Sequence, residues 1–74
     1  MPNLTGKHAY TAVVVPAGYM IGRADYGTRG YTPFPKAGSF RTYDGAKARA
    51  KELNEGLGLT EREAFEIVMD TMRK

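Results

Sequence analysis

The sequence predicts a small α+β domain: an antiparallel hairpin sheet of two to three strands followed by two helices packed on one face, ββ(β)αα. Three observations carry this expectation. Residues 8–15 and 19–24 are rich in β-branched and aromatic side chains. Pro16-Ala17-Gly18 between them has the chemistry of a tight turn. From Thr42 to Met72 apolar residues recur at helical spacing, interrupted by one glycine-bracketed corner.

In chain order, residues 1–7 form a polar, mobile lead-in to a single domain spanning 1–74. His8 to Val15 is the first strand and Tyr19 to Ala24 the second. A three-residue connection with Gly18 at positive φ sets Val15 opposite Tyr19, Val13 opposite Ile21 and Thr11 opposite Arg23. That register puts Val13, Val15, Tyr19 and Ile21 on one side of the sheet and Tyr10, Ala12, Val14 and Met20 on the other. Both sides are apolar and only two helices follow. Either one face meets a partner or the sheet is more curled than a flat hairpin.

Asp25 to Gly30 is a loop. Tyr31 to Phe34 makes a third strand, confined to an edge because Pro33 and Pro35 lack the amide donor. Lys36 to Ser39 turns, and Phe40 to Thr42 leads into the first helix. Thr42 caps that helix, and Asp44 in its first turn suits the helix dipole. Ala46, Ala50, Leu53 and Leu57 make its apolar stripe, and a glycine at 56 or 58 ends it in the left-handed conformation. Thr60 and Glu63 form a capping box for the second helix, where Ala64, Phe65, Val68, Met69 and Met72 line one face.

Composition removes several function classes. The chain has no cysteine, so disulfides and thiolate chemistry are excluded, and one histidine, His8, cannot make a histidine-rich metal site. His8 is also without an obvious nucleophile or orienting partner nearby in the sequence, so no catalytic residue is assigned. Glu66 and Asp70 lie four apart, yet no second carboxylate pair accompanies them, so no metal is assigned. The glycines at 18, 22, 27 and 30 precede no Gly-Lys-Ser/Thr and open no helix, which excludes a phosphate loop, and no cofactor is expected. No stretch approaches the ~20 apolar residues of a membrane span, and residues 1–7 hold no apolar signal core, so a cytoplasmic protein is expected.

The formal net charge is +3 and the pI about 9.4. Cations exceed acids over residues 1–60, while the last helix is slightly acidic. An acidic second helix is unsuited to reading DNA as a helix-turn-helix. Elsewhere Tyr10, Tyr19, Tyr26, Tyr31, Phe34, Phe40 and Tyr43 interleave with Arg23, Arg29, Lys36 and Arg41. Such a mixture fits a sheet core, a protein interface or a nucleic-acid surface.

Gly18-Tyr19-x-Ile21, Gly30-Tyr31-x-Pro33, Phe40-x-Thr42, Ala46, Ala50, Leu53-Asn54, Gly58-Leu59-Thr60, Glu63-Ala64, Ile67-Val68 and Thr71-Met72 form a pattern covering nearly the whole chain from Tyr10. It resembles a group of short proteins carried by phages, plasmids and other mobile elements of bacteria. The resemblance implies an accessory protein that blocks a host defence, as anti-CRISPR proteins do. The hairpin Tyr10 to Ile21 and the helix after Thr42-Tyr43-Asp44 also look like the N-terminal half of HicB-type antitoxins. This chain departs from those in its proline-containing third segment and in lacking their DNA-binding tail.

The sequence-based expectation is therefore a non-enzymatic protein-interaction module. It is a mobile-element-encoded inhibitor of a bacterial defence or regulatory complex, acting by steric binding. Its partner-binding residues would be Tyr10, Val14, Met20, Arg23, Tyr26, Arg29 and Tyr31, on the exposed sheet face and adjoining loops. The same face could instead make a homodimer. The alternatives are a HicB-like antitoxin fragment or a small nucleic-acid-binding protein using Arg23, Arg29, Arg41 and Lys47.

Overall fold

The structure, a computed structural model, describes residues 4–73. Strand β1 (His8–Val15) turns into β2 (Gly18–Asp25), followed by two short strands, β3 (Thr32–Pro33) and β4 (Ser39–Phe40). A 3-10 turn, Pro35–Ala37, separates the short strands, and helices α1 (Tyr43–Gly56) and α2 (Glu61–Arg73) close the chain. The α+β class and the order of elements are as expected. No helix among the described residues is long and apolar enough to cross a membrane.

The hairpin register differs by one residue from the sequence reading. Val15 pairs with Gly18, Val14 with Tyr19, Val13 with Met20 and Ala12 with Ile21. The turn therefore holds two residues, Pro16 and Ala17, and Gly18 belongs to the ladder. Gly18 has the expected positive φ, 138°. Its lack of a side chain serves β4: a Cβ there would lie 2.6 Å from the Phe40 carbonyl oxygen.

Residues directly opposite across an antiparallel pair point the same way. Tyr10, Ala12, Val14, Tyr19, Ile21 and Arg23 thus share one face, and Ala9, Thr11, Val13, Val15, Met20, Gly22 and Ala24 the other. Helix α1 covers the first face, where Ala46 and Ala50 pack with Tyr10 and Ile21, and Leu53, Phe34 and Phe40 pack against them. Helix α2 covers part of the second, where Ala64 and Ile67 pack with Ala9 and Ala24. The two helices lie on opposite faces rather than one. That answers the excess of apolar sheet surface: each face has its own helix and its own small core.

The expected mobile lead-in over 1–7 is altered at Leu4, which is buried in the α2-side core; residues 1–3 lie outside the described part. The Lys7 amide donates to the Leu4 carbonyl at 2.9 Å, turning the chain so that Leu4 folds under Ala9 and Ala24. The expected third strand shrinks to Thr32–Pro33, which pairs with Gly22 and Arg23, while Ser39–Phe40 pairs with Met20 and Tyr19. Both run along the same edge of β2, and between them the Phe34 amide donates to the Ile21 carbonyl at 2.9 Å. That edge is closed along most of its length.

The helix ends follow their local chemistry. Thr42 Oγ1 accepts from the Gly45 amide at 3.1 Å. The capping box forms in both directions, Glu63 amide to Thr60 Oγ1 at 3.1 Å and Thr60 amide to Glu63 Oε1 at 3.0 Å. The Thr60 amide, and after it the Thr60 hydroxyl, hold the Glu63 carboxyl below its ordinary pKa. Gly58, at φ 79°, ends α1 with two reverse bonds, its own amide to Glu55 and the Leu59 amide to Asn54. Helix α2 is rotated from the expected stripe: Ala64, Ile67 and Thr71 are buried, whereas Phe65 and Met72 are 63% and 66% exposed.

Candidate functional site

Strand β1 has one strand neighbour, β2, and its other side is an edge. Tyr10 shows which backbone groups line that edge. Its amide donates to Asn54 Oδ1 at 2.7 Å, and its carbonyl accepts from Asn54 Nδ2 at 3.0 Å. The Asn54 amide, projecting from α1, thus stands in for the backbone of an adjacent strand residue. In an antiparallel ladder every second residue turns its N–H and C=O outward. With Tyr10 outward, Ala12 and Val14 are outward too, and no strand among the described residues covers them. Beyond them Pro16 brings no amide donor and begins the turn.

This edge runs along a groove of about 610 Å³ between the helices. Its floor includes Tyr10, Thr11 and Ala12. One wall carries Tyr43 and Lys47 of α1, the other Phe65 and Val68 of α2. Lys47 lies with its Nζ 6.0 Å from the Tyr43 ring centroid, and Tyr43 meets Tyr19 edge-on at 5.9 Å. At the helix corner Lys51 bonds Glu61 at 3.0 Å and links α1 to α2. Val14, 74% exposed, stands on the α1 side of the sheet beside this groove. Aromatic rings, apolar side chains and unpaired backbone are the components by which proteins bind extended segments.

The β1 edge itself is uncharged. Residues 8–15 include no Lys, Arg, Asp or Glu. The one imidazole there is that of His8, whose pKa is lowered chiefly by burial and secondly by the Arg23 guanidinium, which favours the neutral form. Its Nε2 is 3.5 Å from the Tyr10 hydroxyl, a long contact rather than a poised acid–base pair. Among the described residues no group of three metal-ligating side chains converges.

The expected partner-binding residues fall in different places. Tyr10 is corrected from exposed to buried, because α1 packs on its face of the sheet, and its ring meets Phe34 at 4.8 Å. Val14 is exposed, but Met20 sits half-buried on the opposite face, paired with Val13. Arg23 is engaged by Asp25, Nη2 to Oδ1 at 3.0 Å. Tyr26 and Arg29 lie in the loop docked on the end of α2, where the Gly27 amide donates to Asp70 at 2.7 Å and the Gly30 amide to Thr71 at 3.1 Å. Tyr31 lies against Gly22, where a Cβ would meet its ring at 2.8 Å.

The alternative nucleic-acid set does not form one patch. Arg29 follows the Asp25 end of β2, whereas Arg41 is beside Gly18 at the other end, about 20 Å away along the strand. Asn54 and Phe65 were not singled out as functional in the sequence. Asn54 had a legible signal: it continues the exact spacing of Ala46 and Ala50, placing an amide on the buried stripe. The chain finds no match among protein-family models, curated proteins or solved structures.

Proposed function

We propose that the protein is a non-enzymatic protein-interaction module that binds through the open edge of β1 and the groove beside it. One observation carries the reading. The chain closes the outer edge of β2 with two short strands and closes Tyr10 with Asn54, yet leaves Ala12 and the exposed Val14 without a strand partner among the described residues, beside exposed Tyr43 and Phe65. Sheet edges left open and uncharged are pairing sites for other chains. The resemblance to short mobile-element proteins makes a cytoplasmic bacterial defence or regulatory complex the target to test, with inhibition by steric occupation.

The test is capture from bacterial lysate with tagged protein, with and without nuclease, read by mass spectrometry, alongside a Val14→Glu variant. A discrete protein set that survives nuclease and is lost with Val14→Glu supports the reading. Capture that disappears with nuclease, or that ignores the variant, overturns it.

A further inference from the structure

We infer that the β1 edge takes a second copy of the same chain, the two β1 strands pairing antiparallel about a two-fold axis at Val13. The inference rests on the proposed binding role of this edge and adds the second copy as the occupant of the isolated protein, in competition with any other target for the same backbone groups. In this register Val13 meets Val13 of the second copy and Ala12 meets Val14. Between Tyr10 and the turn, Ala12 and Val14 are the outward residues without a strand partner among the described residues, and each Ala12–Val14 pair exchanges two N–H···O bonds. The symmetric arrangement therefore makes four bonds and uses every open donor and acceptor of the window.

The ends of the window fit the same register. Asn54 already fills the strand position beside Tyr10, and in this register the second copy reaches that point at Pro16, where its own chain leaves the strand and begins the turn. Shifting the axis to Ala12 would set Val14 against the occupied Tyr10, and shifting it to Val14 would set Ala12 against Pro16. Either shift loses bonds. The side chains agree with this choice: small Ala12, on the groove floor, faces the larger Val14, which is 74% exposed in the single chain. The exposed hairpin tip, Pro16–Ala17, comes beside the α1–α2 corner of the second copy. No Lys, Arg, Asp or Glu on residues 8–15 opposes the pairing, and burial favours the neutral form of His8.

The area available is modest. Aromatic side chains bury about 150–250 Å² each, and Tyr43 and Phe65 are 50% and 63% exposed. With Val14 they supply roughly 300–400 Å² besides the strand edge, below the about 800 Å² per partner of a standard specific interface. The expected product is a concentration-dependent dimer of micromolar affinity.

Sedimentation velocity from micromolar to millimolar protein tests this directly. The expected result is a reversible monomer–dimer equilibrium. Val14→Pro removes the outward amide and should raise the dissociation constant at least about tenfold. Val14→Lys, at a side chain already in solvent, should do the same, with circular dichroism verifying the fold of both variants. The chain has no cysteine, so Val13→Cys should form a symmetric disulfide under mild oxidation while Val15→Cys, set opposite Thr11, should not.

A wild-type chain that stays monomeric at millimolar concentration overturns the inference. So does a dimer indifferent to both Val14 variants, or cross-linking at Val15 instead of Val13. The lysate capture separates the two levels: a monomer that still loses its captured proteins with Val14→Glu refutes the second copy alone.

Discussion

Asn54→Ala is the most informative single substitution in the molecule. The side chain is buried, and its amide satisfies both backbone groups of Tyr10 at 2.7 and 3.0 Å. Alanine leaves a buried N–H and a buried C=O unpaired at about 1–3 kcal/mol each, partly relieved because the edge adjoins the groove and water can reach it. A loss of about 3 kcal/mol is expected, nearly the whole of the roughly 3–5 kcal/mol that a core of this size supplies. In urea, with a slope near 1 kcal/mol/M for a small domain, the midpoint should fall by about 2–3 M. Asn54→Asp discriminates further. A carboxylate can accept from the Tyr10 amide but sets a negative oxygen against the Tyr10 carbonyl, so it should be no better than alanine at pH 7. Protonation restores a donor, so this variant should recover stability relative to Asn54→Ala as pH falls. A midpoint for Asn54→Ala within about 1 M of wild type by far-UV circular dichroism would refute the strand-mimic role of Asn54.

Other outcomes follow from the same geometry. Gly18→Ala places a methyl 2.6 Å from a backbone carbonyl at φ 138° and should cost about 2 kcal/mol or more. Gly22→Ala meets the Tyr31 side chain, which is half exposed and can swing away, so thermal melts should rank it as the milder of the two. Thr60→Ala should cost about 1 kcal/mol by removing the helix cap. Glu63 has its folded pKa lowered by the Thr60 backbone and side-chain bonds. Its contribution is therefore complete above its unfolded pKa of 4.5 and lost as pH falls through the lower folded value, and Glu63→Gln should flatten that acid limb of the stability profile. His8, with its folded pKa also lowered, acts in the same direction at higher pH. Stability should decline on acidification below about 6.5, and His8→Phe should remove that portion.

Class, element order and helix ends were legible because each rests on short-range chemistry. Thr42, Thr60, Glu63 and Gly58 act within a few residues of themselves. The hairpin register was not legible, because Val13, Val14 and Val15 are equivalent to any alternation rule, and a strand buried on both faces does not say which residue faces which helix. The register is instead consistent with contacts remote in sequence: Gly18 under Phe40, Gly22 under Tyr31 and Tyr10 against Asn54. The candidate site shared that fate. A reading that placed Tyr10 and Met20 on one exposed face found the exposed Val14 but missed the edge, since outward backbone groups have no signature in side-chain type. The α2 stripe was misread for a related reason. Phe65 outranks Ile67 in bulk, yet Ile67 meets Ala9 and Ala24 while Phe65 faces the groove.

The two small cores on either side of the hairpin bear on how damage spreads through the molecule. Ile21 with Ala46 and Ala50, and Ile67 with Ala9 and Ala24, form separate clusters, with the hairpin between them and the α1–α2 corner, through Lys51–Glu61 and Leu59–Asn54, as a further link. Truncations within one cluster should compound one another, whereas a truncation on each side should give nearly the sum of the separate losses. The hairpin is then a party wall: either tenant can be renovated without consulting the other, but nothing stands if the wall comes down.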